Sequence, residues 1–105
     1  MPATATSFAA LGDPTRFAIV AQLGAEGPRP TVSLSVNTSA SRQAIVKHLR
    51  ILESAGLIRS ARLGRHRVWT LEEARIAEMR FYLGEISAQW DKALARLRLL
   101  VEGEE

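Results

Sequence analysis

Seven cationic side chains fall between residues 41 and 68: Arg42, Lys47, Arg50, Arg59, Arg62, Arg65 and Arg67. Glu53 is the sole carboxylate among them, so the block carries +6. Residues 1–40 are neutral and residues 69–105 carry −3, so the net charge of +3 hides a segregation. A localised cationic block is the footprint of a surface that binds phosphate. The plainer alternative is a solvated face with no partner. Several side chains here could do more than attract an anion. Gln43 can pair with the edge of adenine through two hydrogen bonds, and Arg42 or Arg50 with the edge of guanine. Lys47 suits a phosphate better than a base.

Other chemistries find little support. The chain has no cysteine, which removes disulfides, thiolate metal sites and a cysteine nucleophile. His48 and His66 are the two histidines, too few for an imidazole metal site, so the expectation is no metal and no cofactor. Ser7, Ser33, Ser35, Ser39 and Ser41 have no base at a recognisable spacing, and no enzyme is expected. Trp69, Trp90 and Tyr82 could stack on bases, but packing in the core or an interface suits them better. No apolar run reaches the ~18–20 residues of a membrane span. The start, Met-Pro-Ala-Thr-Ala-Thr, lacks the basic and apolar regions of a signal peptide, so a cytoplasmic location is expected.

The elements that must position these groups follow from periodicity and caps. A short helix ends in SFAALG, residues 7–12, with Gly12 expected as a left-handed cap. Asp13-Pro14 restarts a helix carrying Phe17, Val20, Ala21 and Gly24, with Ile19 and Leu23 beside them. The Gly and Pro of AEGPRP, residues 25–30, predict a loop. In TVSLSVNT, residues 31–38, Val32, Leu34 and Val36 alternate as in a strand.

Residues 41–55 read as an amphipathic helix between an N-cap at Ser41 and a C′ glycine at Gly56. Ile45, His48, Leu49 and Leu52 fall on one side; Gln43, Val46, Lys47 and Arg50 fall on the other, with Arg42 at its edge. LIRSARLGRHRVWTL, residues 57–71, reads as a hairpin turning at Leu63-Gly64-Arg65-His66, with Arg62, Arg65 and Arg67 at its tip. A long helix over 72–102 follows, with Thr70 and Glu73 spaced as a capping box. Along it Ile76, Met79, Leu83, Ile86, Trp90, Leu94, Leu97 and Val101 make a heptad-like seam. A cationic helix followed at once by an arginine-tipped hairpin is what a winged helix-turn-helix requires.

The residues FAALGDPTRFAIVAQL (8–23), SRQAIVKHLRILESAGLIRS (41–60) and LGRHRVWTL (63–71) resemble the ArsR-type family of winged helix-turn-helix regulators. The tail ISAQWDKALARL, residues 86–97, resembles its metal-free subgroup. The resemblance covers nearly the whole chain. It implies one domain over 1–105, mainly α with a small β-hairpin: recognition helix 41–56, wing 57–71 and C-terminal dimerisation helix 72–102. It also implies a short helix within 31–38, against the strand pattern. Ala40 departs from the larger apolar residue usual in the family.

On this reading the DNA-binding residues are Ser41, Arg42, Gln43, Val46, Lys47, Arg50, Arg62, Arg65 and Arg67. The dimer interface takes Phe8, Leu11, Leu83, Ile86, Trp90, Leu94 and Leu97. The partners are double-stranded operator DNA and a second copy of the chain, with no membrane; no effector can be named. The expected function is a homodimeric repressor on an inverted repeat. The alternative is an architectural DNA-binding protein, which Gln43 argues against. A winged-helix protein-interaction module is disfavoured by the +6 block.

Overall fold

The chain changes direction first at Asp13 and Pro14. In a computed structural model, which describes residues 2–34 and 39–103, α1 spans Pro2–Ala10 and α2 spans Pro14–Glu26. The Asp13 carboxylate accepts the Arg16 backbone N–H at 3.0 Å, and Pro14 opens the first turn, where its missing N–H costs nothing. Gly12 is not the left-handed cap that the sequence suggested. The glycines with positive φ among the described residues are Gly27, Gly56 and Gly64. Helix α1 closes instead through tight bonds, Leu11 N–H to Phe8 C=O and Gly12 N–H to Ala9 C=O, which need no left-handed residue.

The apolar face of α2 also differs from expectation. Ile19 and Leu23 are buried, whereas Phe17 is 60% exposed. Apolar residues occur around much of this helix, so periodicity leaves its orientation open and packing on the core decides it. After α2 the expected loop holds a short strand, β1 (Arg29–Pro30). It pairs antiparallel with the later strand β3 (His66–Leu71), Arg29 opposite Trp69.

Residues 31–34 are helical, not extended: α3 covers Thr31–Leu34. The Trp69 indole N–H donates to Thr31 Oγ1 at 2.9 Å, which fixes the start, and Leu34 enters the core. The local β-preference yields to these tertiary contacts. The rest of that expectation, residues 35–38, lies outside the described residues.

Helix α4 (Arg42–Ser54) matches its caps closely. Ser41 Oγ accepts the Ala44 N–H at 3.1 Å, and Gly56 takes φ +78° just past the end. Ile45, Leu49 and Leu52 are fully buried. β2 (Ile58–Leu63) and β3 form a hairpin through a two-residue turn at Gly64-Arg65, and the sheet order is β1-β3-β2. The small hairpin is therefore two-thirds of a three-stranded sheet.

Helix α5 covers Glu73–Gly103, 31 residues or ~46 Å. Thr70 does not cap it: Thr70 lies inside β3, and the Ile76 N–H reaches the Glu72 carbonyl in the first turn. Only the start of α5 packs on the body, through Ile76 and buried Met79. The remainder projects, which gives the molecule a 69 Å long axis and a radius of gyration of 18.5 Å. A compact domain of this size would have about 13 Å.

Candidate nucleic-acid interface

Two lines of cations diverge from α4. Arg42 and Val46 face the hairpin, and with Thr31, Val32, Arg62, Arg65, His66 and Arg67 they line a cleft of about 460 Å³. Lys47 and Arg50 face the other way. With Arg16 they rim a groove of about 510 Å³ between α1 and α4, floored by Ala9, Ala10, Ile51 and Ala55. Gln43 is exposed in the first turn of α4 and lines neither depression. The expected DNA-binding cations and Val46 thus divide into two groups on either side of α4, with Ser41 and Gln43 in neither.

The hairpin explains why three arginines reach this cleft. Residues 58, 60 and 62 of β2 stand opposite 71, 69 and 67 of β3, so Ile58, Ser60 and Arg62 share a face with Leu71, Trp69 and Arg67. Ile58 and Trp69 turn that face towards the core. Beyond the body it continues as Arg62 and Arg67, directly opposed across the ladder. Like charges so placed repel, and an anion between them would relieve the repulsion. One of the two is partly engaged: Arg67 donates to Ser60 Oγ at 2.8 Å, and Ser60 Oγ donates to Glu53 at 3.3 Å. Among the described residues, Arg42, Gln43, Lys47, Arg50, Arg62 and Arg65 have no side-chain hydrogen bond or ion pair within the protein. Arg59, counted in the same block, is neutralised by Glu72 at the base of α5.

Ser41 acts as the cap of α4, with its Oγ used by Ala44. His48 lies on the inner side, as expected. Its Nδ1 is 3.3 Å from the Arg16 guanidinium and 3.8 Å from the Asp13 carboxylate. Arg16 also donates to the Ala10 carbonyl at 2.7 Å, so this cluster ties the α1–α2 corner to α4. The Asp13 carboxyl is held below the usual aspartate value. The Arg16 backbone N–H is the main cause, followed by the charges of Arg16 and His48, against an opposing effect of partial desolvation. Among the described residues, no group of three or more His, Asp or Glu could hold a metal ion.

A second knot fixes the far end of α4. Arg75 of α5 donates through Nη1 to Ala3 C=O (3.1 Å), Ser7 Oγ (2.8 Å) and Ala55 C=O (3.0 Å). The fully buried Ser7 hydroxyl donates to the same Ala55 carbonyl at 2.6 Å. Arg75, which sequence reasoning did not single out, thereby joins α1 and α5 to the C-terminus of α4. Val32 was likewise missed as a site residue, because alternation in residues 31–38 gave no sign that it faces a cationic cleft.

Of the expected interface residues, Phe8 and Leu11 are half-buried against the chain's own core. Leu83, Ile86, Trp90, Leu94 and Leu97 are 47–65% exposed along α5. Among the described residues, no helix is long and apolar enough to cross a membrane.

A short helix leading to a capped, cationic helix and then to an arginine-bearing hairpin defines a winged helix-turn-helix DNA-binding fold. Residues 11–61 match a helix-turn-helix domain family. The chain is 35% identical over 95 residues to the HTH-type transcriptional regulator Rv2034 of Mycobacterium tuberculosis, covering 90% of this chain and 85% of that one. An ArsR-like transcriptional regulator from Rhodococcus sp. RHA1 superposes with a TM-score of 0.75 at 35% identity, covering 94% of this chain and 92% of that one. The homodimeric winged helix-turn-helix DNA-binding domain of Mb0332 from Mycobacterium bovis shares the fold at 20% identity, with a TM-score of 0.64 over 89% of this chain and 82% of that one. The protein belongs to the ArsR family of winged helix-turn-helix transcriptional regulators.

Proposed function

We propose that the protein is a sequence-specific regulator that binds double-stranded DNA as a homodimer, on two inverted half-sites, and represses the promoter it occupies. It would do so in the cytoplasm. The observation that carries the DNA reading is the set of cations without internal partners around the exposed face of α4. Arg42, Gln43, Val46 and Arg50 enter the major groove, whose base edges distinguish all four pairs. Lys47 contacts phosphate, as does the backbone at Ser41. Arg62, Arg65 and Arg67 of the wing hold the adjacent backbone or minor groove.

The dimer follows from α5. Leu83, Ile86, Trp90, Leu94 and Leu97 are exposed in the single chain, and each large side chain gains roughly 1.5–3 kcal/mol on full burial. A second copy on a two-fold axis covers this seam, with Phe8 and Leu11 beside it, and presents two α4 helices about one DNA turn apart. The Mycobacterium bovis neighbour is homodimeric, which agrees. Repression as the outcome of binding rests on the family resemblance.

The test is retention of the protein's own upstream DNA against excess genomic DNA at moderate salt. A specific regulator keeps that fragment and protects two inverted patches. Release at the same rate as bulk DNA would leave an architectural protein as the better reading, and Gln43 would have no base to read.

A further inference from the structure

The cleft beside α4 has uneven chemistry. Four guanidinium groups line it, Arg42 from α4 and Arg62, Arg65 and Arg67 from the wing, yet two valines sit among them. Val46 stands one turn after Arg42 on the same face of α4 and is half-buried. Val32, on α3, is 47% exposed. Neither belongs to the hydrophobic core or to the partly buried residues packed on it. They form an apolar spot on a surface whose other side chains are polar or charged.

We infer that Val46, flanked by Val32, is the seat for the 5-methyl group of one thymine in each half-site, and so sets sequence preference there. This rests on the DNA-binding reading given above. The arginines bring a duplex against the cleft, so whatever meets the valines must lie on that duplex. A phosphate oxygen or a base amino group pressed there would lose water and gain no hydrogen bond. The thymine methyl is the apolar group that DNA offers at the major-groove edge. Cytosine lacks this methyl, so in its place the valines would meet no apolar group.

The experiment uses the full chain and a duplex recovered by it from a randomised pool. Each thymine of a half-site is replaced in turn by deoxyuridine, which removes the methyl alone. One position should lose about fourfold in affinity, the worth of one buried methyl, and cytosine there, which also lacks the methyl, should lose at least as much. Val46→Ala should bind the thymine and deoxyuridine duplexes equally, and Val32→Ala should narrow the gap. Both variants should keep the wild-type thermal midpoint and salt dependence, since neither valine is in the core or charged. If no thymine is sensitive, or if the sensitivity persists in both alanine variants, the inference is wrong while the DNA reading stands. A pool that yields no preferred sequence overturns both.

Discussion

Gln43 and Lys47 lie one turn apart on α4, yet the proposed function gives them different tasks. Gln43 presents an amide in the first turn, and Lys47 presents a charge towards the α1–α4 groove. Gln43→Ala should cost roughly 1–3 kcal/mol on the cognate site and much less on random DNA. Equal losses in the two titrations would remove it as a reader. Lys47→Ala should weaken both duplexes alike and reduce the salt slope by about one unit. A second prediction concerns Asp13, whose ionised form is favoured in the folded state by the Arg16 N–H. A carboxyl with a folded pKa below its unfolded one stabilises the fold above the unfolded value. That contribution disappears as pH falls through the folded value. Urea titrations should therefore find Asp13→Asn less stable than wild type at neutral pH, with the gap closing below about pH 4. A gap that does not change with pH would show that the carboxylate charge is not involved.

At the scale of elements, the wing and the end of α4 each make a separable claim. Replacing Arg62, Arg65 and Arg67 together by Ala should lower DNA affinity and leave the dimer intact, because the hairpin tip is remote from the α5 seam. An unchanged affinity on a long duplex would place the wing off the DNA. Gly56 sits at φ +78°, and a Cβ there would lie 2.7 Å from Arg75 Nη1. Gly56→Ala should therefore cost at least the ~1–2 kcal/mol of a left-handed residue, and more if it displaces Arg75 from Ala55 and Ser7. Chemical denaturation measures this, and a neutral result would show that the Arg75 knot relaxes freely. The same elements show what sequence can convey. Helix α4 was legible because caps, periodicity and charge all agreed over Ser41–Gly56. Residues 31–34 were legible only through the family resemblance, since their own alternation favours a strand and distant contacts, the Trp69 bond and the burial of Leu34, hold the helix. β1 was hidden for the same reason: a two-residue strand exists only through its partner. The division of the cations into two groups was also invisible, because it depends on where the wing and α1 lie relative to α4.

The whole molecule is shaped by one helix that its own chain does not cover. Its 69 Å long axis and its row of exposed apolar residues are what the proposed second copy would cover. Trp90→Glu would place an unpaired charge in the seam. It should give monomers in sedimentation and little operator binding. A wild type that is monomeric at micromolar concentration, or a Trp90→Glu protein that remains an active dimer, would move the interface elsewhere.

Gly84 stands within α5 where the helix leaves the body, five residues after buried Met79. Beyond it, residues 85–103 have only their own backbone bonds to hold them in a lone chain, and glycine weakens the junction by roughly 1 kcal/mol relative to Ala. Most helical stability in proteins comes from packing an apolar face, and in a lone chain this segment has none to pack against. In the proposed dimer, packing of this segment would belong to the association step, and pairing of two chains would also steady the end of each fold. Amide exchange in 85–103 should follow protein concentration while that of α4 does not. Dilution of such a dimer would loosen the tail of each chain, so the abundance of the protein would set how much of α5 is firmly held.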